Sequence, residues 1–373
     1  MFLQRLELTD YRNYAALSLA LSARLTVLRG HNAQGKTNLL EAVALLALTR
    51  SPRGARDGEL IRWGANSAVV RGEAARTHRP PVAISLTLRR RGAKSLRVDG
   101  QPCARLADGV GELVAVYFGP GHLQLVSGSP EGRRDYLNTC WGQVSPAYLR
   151  AMSAYRGILR QRNSLLRRVV LGGRLDSALL DTLDDQLAEH GGALMAARAQ
   201  AIEQLAAHAN RIHALLSGGS EQLQLTYDPH VSTNEATDAG ACRQALAERL
   251  VVRRPDELRR GVTLLGPHRD DLGLTLNGAD AKQYGSQGQQ RSAALALKLA
   301  ELAVLAEALD EAPLLLLDDV LSELDTRRRE ATLELAEQTD QVILTSAEGG
   351  PAQLAELAGA DVRWVENGQI RGE

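Results

Sequence analysis

Residues 30–37 read Gly30-His31-Asn32-Ala33-Gln34-Gly35-Lys36-Thr37, a complete G-x-x-x-x-G-K-T. The apolar stretch Leu25-Thr26-Val27-Leu28 runs into it, and a helical pattern with Leu39, Leu40, Val43 and Leu46 on its apolar positions begins at Lys36. Strand, glycine loop and helix in that order aim backbone N–H groups and the positive end of a helix at an anion. All eight loop residues are therefore candidate ligands of nucleotide phosphates. Lys36 supplies a point charge and the Thr37 hydroxyl suits Mg²⁺. Only four lysines stand among the 44 basic residues, and one of them is here.

Two later segments complete the chemistry. Leu314-Leu315-Leu316-Leu317 has the continuous apolar character of a parallel strand buried on both faces, and it ends at Asp318-Asp319. In an open α/β sheet that carboxyl edge faces the ligand. Asp318 is thus the expected metal residue, and Asp319 is expected to orient or deprotonate an attacking water, with Lys36 as the second catalytic group. Ser286-Gln287-Gly288-Gln289-Gln290 precedes a helical run from Arg291 to Leu305, so a hydroxyl and backbone amides meet at another helix start. A polar loop ahead of a helix is the plainer reading of that segment taken alone.

The order of these motifs resembles the ABC ATPase superfamily, with Ser286, Gln287, Gly288 and Gln289 as its signature and Ser322-Glu323-Leu324-Asp325 where its D-loop falls. The resemblance implies that each signature reaches the γ-phosphate of a partner's ATP, and so a head-to-tail homodimer in the ATP state. The whole chain resembles the RecF family of bacterial repair proteins, relatives of the SMC heads. The resemblance rests on Leu6-Glu7-Leu8-Thr9-Asp10-Tyr11-Arg12-Asn13-Tyr14, Phe118-Gly119-Pro120-Gly121-His122-Leu123, Gly128-Ser129-Pro130-Glu131-Gly132-Arg133-Arg134 and Gly266-Pro267-His268-Arg269-Asp270-Asp271. It implies an ABC-type P-loop head carrying an inserted, mainly helical lobe without a long coiled coil, and it adds Arg12 and Asn13 to the nucleotide side. It further implies ATP and Mg²⁺ as cofactors and a weak DNA-stimulated ATPase acting as a switch. The implied setting is replication, recombination and the SOS response, at gaps or stalled forks, with duplex or junction DNA and the RecO and RecR proteins as partners in recombinase loading. One departure is visible: after Val342-Ile343-Leu344, Thr345-Ser346 occupies the place of the transporter-type switch histidine, which leaves the γ-phosphate sensor unassigned and favours slow hydrolysis.

An ABC transporter's nucleotide-binding subunit is the alternative, since it shares loop, signature and acid pair. The long helical insertion, the missing histidine and an Asp at 319 where transporters place Glu stand against it. A small-molecule kinase would leave residues 286–290 and 322–325 without a purpose.

Charge decides little in total, with 44 Lys+Arg against 44 Asp+Glu, and much in its distribution. Residues 71–97 hold eight basic residues and the single acid Glu73, while residues 150–174 hold seven arginines and no acid. Guanidinium groups gathered in this way suit phosphate backbones. Arg89, Arg90, Arg91, Lys94 and Arg97 are the favoured DNA contacts; Arg160, Arg162, Arg167 and Arg168 come second, and for each cluster a solvated surface is the competing reading. No apolar run is long enough for a membrane span, and the start of the chain lacks a secretion signal, so a cytoplasmic location is expected. Cys103, Cys140 and Cys242 form no metal-binding or disulfide pattern.

Alternation at Val82 to Leu88, a turn at Asp99-Gly100 and a strand over 113–118 make the first 125 residues strand-rich. Residues 126–261 turn Ala/Leu/Arg-rich, with Gly-Gly at 172–173, 191–192 and 218–219 expected to break the helices into moderate lengths. Strands are expected again at 262–265 and 272–276. The predicted head is thus 1–125 with 262–373, and the lobe 126–261.

Overall fold

The computed structural model describes residues 1–22, 24–336, 339–347 and 360–372. In chain order the elements are β1 (Phe2–Tyr11), β2 (Tyr14–Ala20), β3 (Leu25–Gly30), α1 (Lys36–Leu48), α2 (Asp57–Leu60), β4 (Ser67–Ala75), β5 (Val82–Arg89), β6 (Ser95–Val98), β7 (Gln101–Pro102) and β8 (Ala115–Phe118). The helical stretch follows as α3 (Pro130–Gly142), α4 (Pro146–Val170), α5 (Ser177–Ser217), β9 (Leu223–Asp228) and α6 (Ala239–Arg260). The chain then runs through β10 (Asp271–Leu276), β11 (Ala279–Asp280), α7 (Ala281–Tyr284), α8 (Gln287–Leu309), β12 (Leu314–Asp318), α9 (Thr326–Ala336), β13 (Val342–Ala347), β14 (Asp361–Glu366) and β15 (Gln369–Gly372).

Two compact units share this chain: Met1–Leu125, His208–Gln222 and Ser286–Glu373 form the first, Val126–Ala207 and Leu223–Gly285 the second. The first division falls after Leu125. The last falls after Gly285 rather than at 261/262, because β10 pairs along its whole length with β9, Leu274 opposite Leu225, and so stays with the second unit. Residues 208–222 in turn belong to the first.

The first unit holds two six-stranded sheets, β2-β1-β4-β5-β6-β7 and β15-β14-β3-β13-β12-β8. The second sheet is parallel from β14 to β8, with β15 as an antiparallel edge. Helix α1 touches β4 and β5 of one sheet and β3, β8, β12 and β13 of the other. That position explains why the helix is buried all round from Leu39 to Leu48 rather than along one stripe.

The second unit is built on a core of Tyr155, Leu166, Leu187, Leu194, Leu246 and their neighbours. Gly191-Gly192 does not break α5, which continues unbroken for 41 residues. A Cβ at Gly192 would lie 2.5 Å from the backbone N of Arg243, and one at Gly191 2.5 Å from Leu246 Cδ2. The pair serves the close approach of α6, a use of glycine that local sequence cannot distinguish from a helix stop. Residues 262–265 are not a strand either: Thr263 N–H donates to Asn163 Oδ1 at 2.8 Å and Leu264 N–H to Glu257 Oε1 at 2.7 Å, so side chains satisfy the backbone in place of a ladder.

Arg162 is fully buried, paired with Asp184 at 2.5 Å and Glu257 at 2.6 Å, and it donates to Thr263 Oγ1. It is a core tie and leaves the set of candidate DNA contacts. In the Gly266–Asp271 stretch, buried Asp270 accepts from His230 N–H at 2.8 Å, from Tyr227 and from Arg198. Asp271 binds Arg133 through both of its oxygens.

Candidate functional site

The parallel sheet brings the phosphate loop and the acid pair together. β13 lies between β3 and β12, with Thr345 opposite Leu28 on one side and Asp318 on the other. The three strands end together, so the loop after Gly30 and the acids after Leu317 share one carboxyl edge.

Gly35 adopts φ +119°, and a Cβ there would meet the Asn13 amide and the Tyr14 hydroxyl at 2.6–3.0 Å. Asn13 Nδ2 donates to Gln34 O at 2.8 Å and Tyr14 OH to Gly35 O at 3.0 Å, so the turn between β1 and β2 braces the loop through its carbonyls. From the other side Asn367 N–H donates to Gln34 Oε1 at 2.8 Å. With the carbonyls of Gln34 and Gly35 taken from outside the loop, the N–H groups of the first turn of α1 remain for an anion. Lys36 Nζ folds onto the carbonyls of Gly30 and His31. Burial lowers the pKa of its ammonium while Asp319 and Asp318 pull it upward, with a net downward shift.

Thr37 Oγ1 donates to Asp318 Oδ1 at 2.8 Å. The buried Asp318 carboxylate also accepts from Thr345 Oγ1 at 3.1 Å and, on its other oxygen, from Tyr117 OH at 2.7 Å. Burial and Asp318 push the Tyr117 phenol far up, so it remains a donor. Asp319 takes left-handed backbone, φ +54°, and its N–H donates to Thr345 Oγ1 at 2.9 Å. Thr345 thereby touches both acids. In the sequence Thr345 stands where the transporter-type switch histidine would fall and Tyr117 lies in the apolar strand over 113–118, and neither carries a mark of its contact with Asp318.

Arg12 and Asn13 flank this loop in different ways. Asn13 supports its backbone as described, whereas the Arg12 guanidinium forms a two-pronged pair with fully buried Glu41, at 2.9 and 3.0 Å. Glu41 also accepts from Ser51 Oγ at 2.6 Å. The acid that holds Arg12 was not legible as a partner in the sequence.

Ser286 caps α8. Its Oγ accepts from Gln289 N–H at 3.3 Å and its own N–H donates to Gln289 Oε1 at 2.8 Å, a reciprocal capping box. Gln287 and Gly288 form the first turn of that helix. Ser322 Oγ donates to Asp319 O at 2.7 Å, tying the D-loop segment to the acid pair.

The head's basic cluster is partly engaged within the chain. Arg89 donates to Ala93 O and Ser95 Oγ, Arg90 to Ala65 O and Arg62 O, and Arg97 to Gly100 O. Carbonyls orient these guanidinium groups without neutralising them. Lys94 instead pairs with Asp57 at 2.9 Å, and Arg91 is exposed on the turn. In the second unit, exposed Arg160, Arg167 and Arg168 line a groove of about 710 Å³ with Asn163, Ser164, Leu171 and Gly173. No helix among the described residues is long and apolar enough to cross a membrane.

Residues 2–368 match the RecF/RecN/SMC N-terminal domain family. The chain is 40% identical over 371 residues to the DNA replication and repair protein RecF of Halalkalibacterium halodurans, covering 100% of this chain and 99% of that one. It is 40% identical to the protein of the same name from Bacillus subtilis, covering 99% and 100%. Among solved structures it resembles that of the recombination mediator protein RecF-ATP in the RecFOR pathway, with a TM-score of 0.92 and 31% identity over 100% of this chain and 97% of that one. A Pyrococcus furiosus Smc head domain shares the fold, with a TM-score of 0.54 at 16% identity over 99% and 95%. These relatives do not favour the transporter alternative. A phosphate loop and acid pair assembled on one sheet edge, a capped signature helix and full-length similarity to these proteins agree: the chain belongs to the RecF family of DNA replication and repair proteins and has the SMC-type ATPase head fold.

Proposed function

We propose that this protein is an ATP-dependent DNA clamp of recombinational repair. ATP joins two heads, each closing the other's nucleotide site with its Ser286 signature, and slow hydrolysis opens them. The observation that carries the reading is the Thr37–Asp318 contact, which unites loop and acid on one edge while Ser286 heads a separate helix in the same unit.

The oxygens of Thr37 and Asp318 fit Mg²⁺. Their 2.8 Å separation matches the ~2.9 Å between neighbouring ligands of an octahedral ion with bonds of about 2.0–2.1 Å. Bound there with ATP, the ion would neutralise charge on the phosphates. The chain's own residues do the rest: loop amides and Lys36 hold the β- and γ-phosphates, Asp319 orients the attacking water, and Thr345 steadies both acids. DNA is gripped through its phosphates, first by Arg89, Arg90, Arg91 and Arg97. A second reading places the path along Arg160, Arg167 and Arg168, favoured because these guanidinium groups line an open groove. RecO and RecR are the partners expected at gaps and stalled forks.

Sedimentation at micromolar protein tests the clamp. ATP or a non-hydrolysable analogue should convert monomer to dimer, and ADP should not. Equal sedimentation coefficients in the apo, ADP and ATP-analogue states would reject it.

A further inference from the structure

The signature loop is held from outside its own motif. Gln289 Nε2 donates to Glu221 Oε1 at 3.0 Å, and the other oxygen of Glu221 lies 2.9 Å from Nε2 of His213. His213 is fully buried, and its Nδ1 has no partner among the described residues. Both residues lie in 208–222, which joins the first unit although the chain on either side belongs to the second.

A carboxylate only accepts hydrogen bonds. Glu221 therefore compels His213 to present Nε2–H and Gln289 to present its NH₂, which leaves the Gln289 oxygen for Ser286 N–H. Accepting from Gln289 N–H with one of its two lone pairs, the exposed Ser286 hydroxyl keeps its own proton for an outside acceptor. One acid thus sets the hydrogen-bond polarity of the loop that, in the two-subunit reading above, meets the partner's γ-phosphate.

We propose that Glu221, backed by His213, is a positioning residue for the signature loop and acts on the partner subunit's nucleotide rather than on its own. The inference rests on the two-subunit reading. An ordinary role for Glu221 as one more surface ion-pair partner would affect stability alone.

Glu221→Gln separates the two, because it keeps shape and removes the acceptor-only character. Turned one way, its NH₂ faces His213 Nε2, which can accept only if the ring proton moves to Nδ1, a buried atom with no acceptor among the described residues. Turned the other way, it faces the Gln289 NH₂, and relief by turning that amide sets NH₂ against Ser286 N–H. The melting temperature and ATP binding by the monomer should stay close to those of the unsubstituted protein, while ATP-driven dimerisation weakens by about tenfold, the scale of a lost helix cap. Gln289→Leu, which leaves Glu221 in place, should produce the same loss, and the two changes together little more. Mixed with Lys36→Met protein, Glu221→Gln should regain ATPase, since one composite site of the heterodimer is intact; mixed with Ser286→Arg protein it should not. Dimerisation of Glu221→Gln at the unsubstituted affinity, or equal behaviour in the two mixtures, overturns the positioning role. If the unsubstituted protein itself fails to dimerise with ATP, the two-subunit reading falls and this inference with it.

Discussion

Thr37 and Asp318 are 281 positions apart in the chain, yet the hydroxyl of one donates to the carboxylate of the other at 2.8 Å. Asp318→Asn replaces one oxygen of this pair with a donor, so it should abolish the gain in ATP affinity that Mg²⁺ provides. We expect at least a tenfold loss with Mg²⁺ present, on the order seen when metal sites are disturbed, and little change in EDTA. Titration of ATP in both buffers checks this, and a retained Mg²⁺ effect would remove Asp318 from the metal site.

Lys36 and Asp319 should separate binding from chemistry. Lys36→Met removes charge from ground-state phosphates and should impair nucleotide-driven dimerisation. Asp319→Asn should still bind ATP, hydrolyse it about 10²–10⁴-fold more slowly and accumulate the closed dimer. Turnover of Asp319→Asn at the unsubstituted rate would show that another group handles the water.

Gly192→Ala should destabilise the second unit more than Gly191→Ala. The new methyl at 192 meets Arg243 backbone at 2.5 Å, whereas at 191 it meets the end of the movable Leu246 side chain. The strain is worth about 1–3 kcal/mol, which outweighs the ~1 kcal/mol of helix propensity gained over glycine. Urea denaturation of the two variants compares them, and equal midpoints would mean that the helices separate without cost.

Acid should weaken the first unit through His122. Burial and the neighbouring Lys298 pull its pKa down to about 3, and its Nδ1 accepts from Gly119 N–H at 3.2 Å. The unfolded chain takes up this proton near pH 6.5 and the folded one does not. The stability is therefore complete above pH 6.5 and is lost as pH falls toward about 3. By pH 5 the loss is about 2 kcal/mol. His122→Asn should flatten the fall in unfolding free energy between pH 7 and 5 by about that amount; an unchanged fall would mean that His122 does not titrate this way.

Charge reversal at Arg89, Arg90, Arg91 and Arg97 should weaken ATP-dependent DNA binding without regard to base sequence. It should lower the slope of log affinity against log salt by about one per lost phosphate contact. Lys94→Glu should matter less than Arg91→Glu, because Asp57 already neutralises Lys94. If affinity and slope survive reversal of the head set and fall with Arg160, Arg167 and Arg168, the path runs along the second unit.

Much of this protein was legible in its sequence because the signals are local. Gly30 to Thr37 is a run of consecutive backbone whose chemistry needs only a strand before it and a helix after it, and both are written in the neighbouring apolar pattern. Asp318 and Asp319 stand out because a four-leucine run must be buried and must end at a sheet edge. Ser286 with Gln289 three positions on is itself a capping signature. Tertiary structure decided what depends on register and distant pairing. Tyr117 and Thr345 reach Asp318 only because β8 and β13 flank β12, Glu41 claims Arg12, and Glu221 reaches Gln289 from another segment of the chain. The same holds where local reading failed: Gly191-Gly192 packs against α6 instead of ending α5, and Arg162 points into a core that supplies Asp184 and Glu257. A side chain's type states what it can bond to, but which partner arrives depends on burial and on the crossing of elements far apart in sequence.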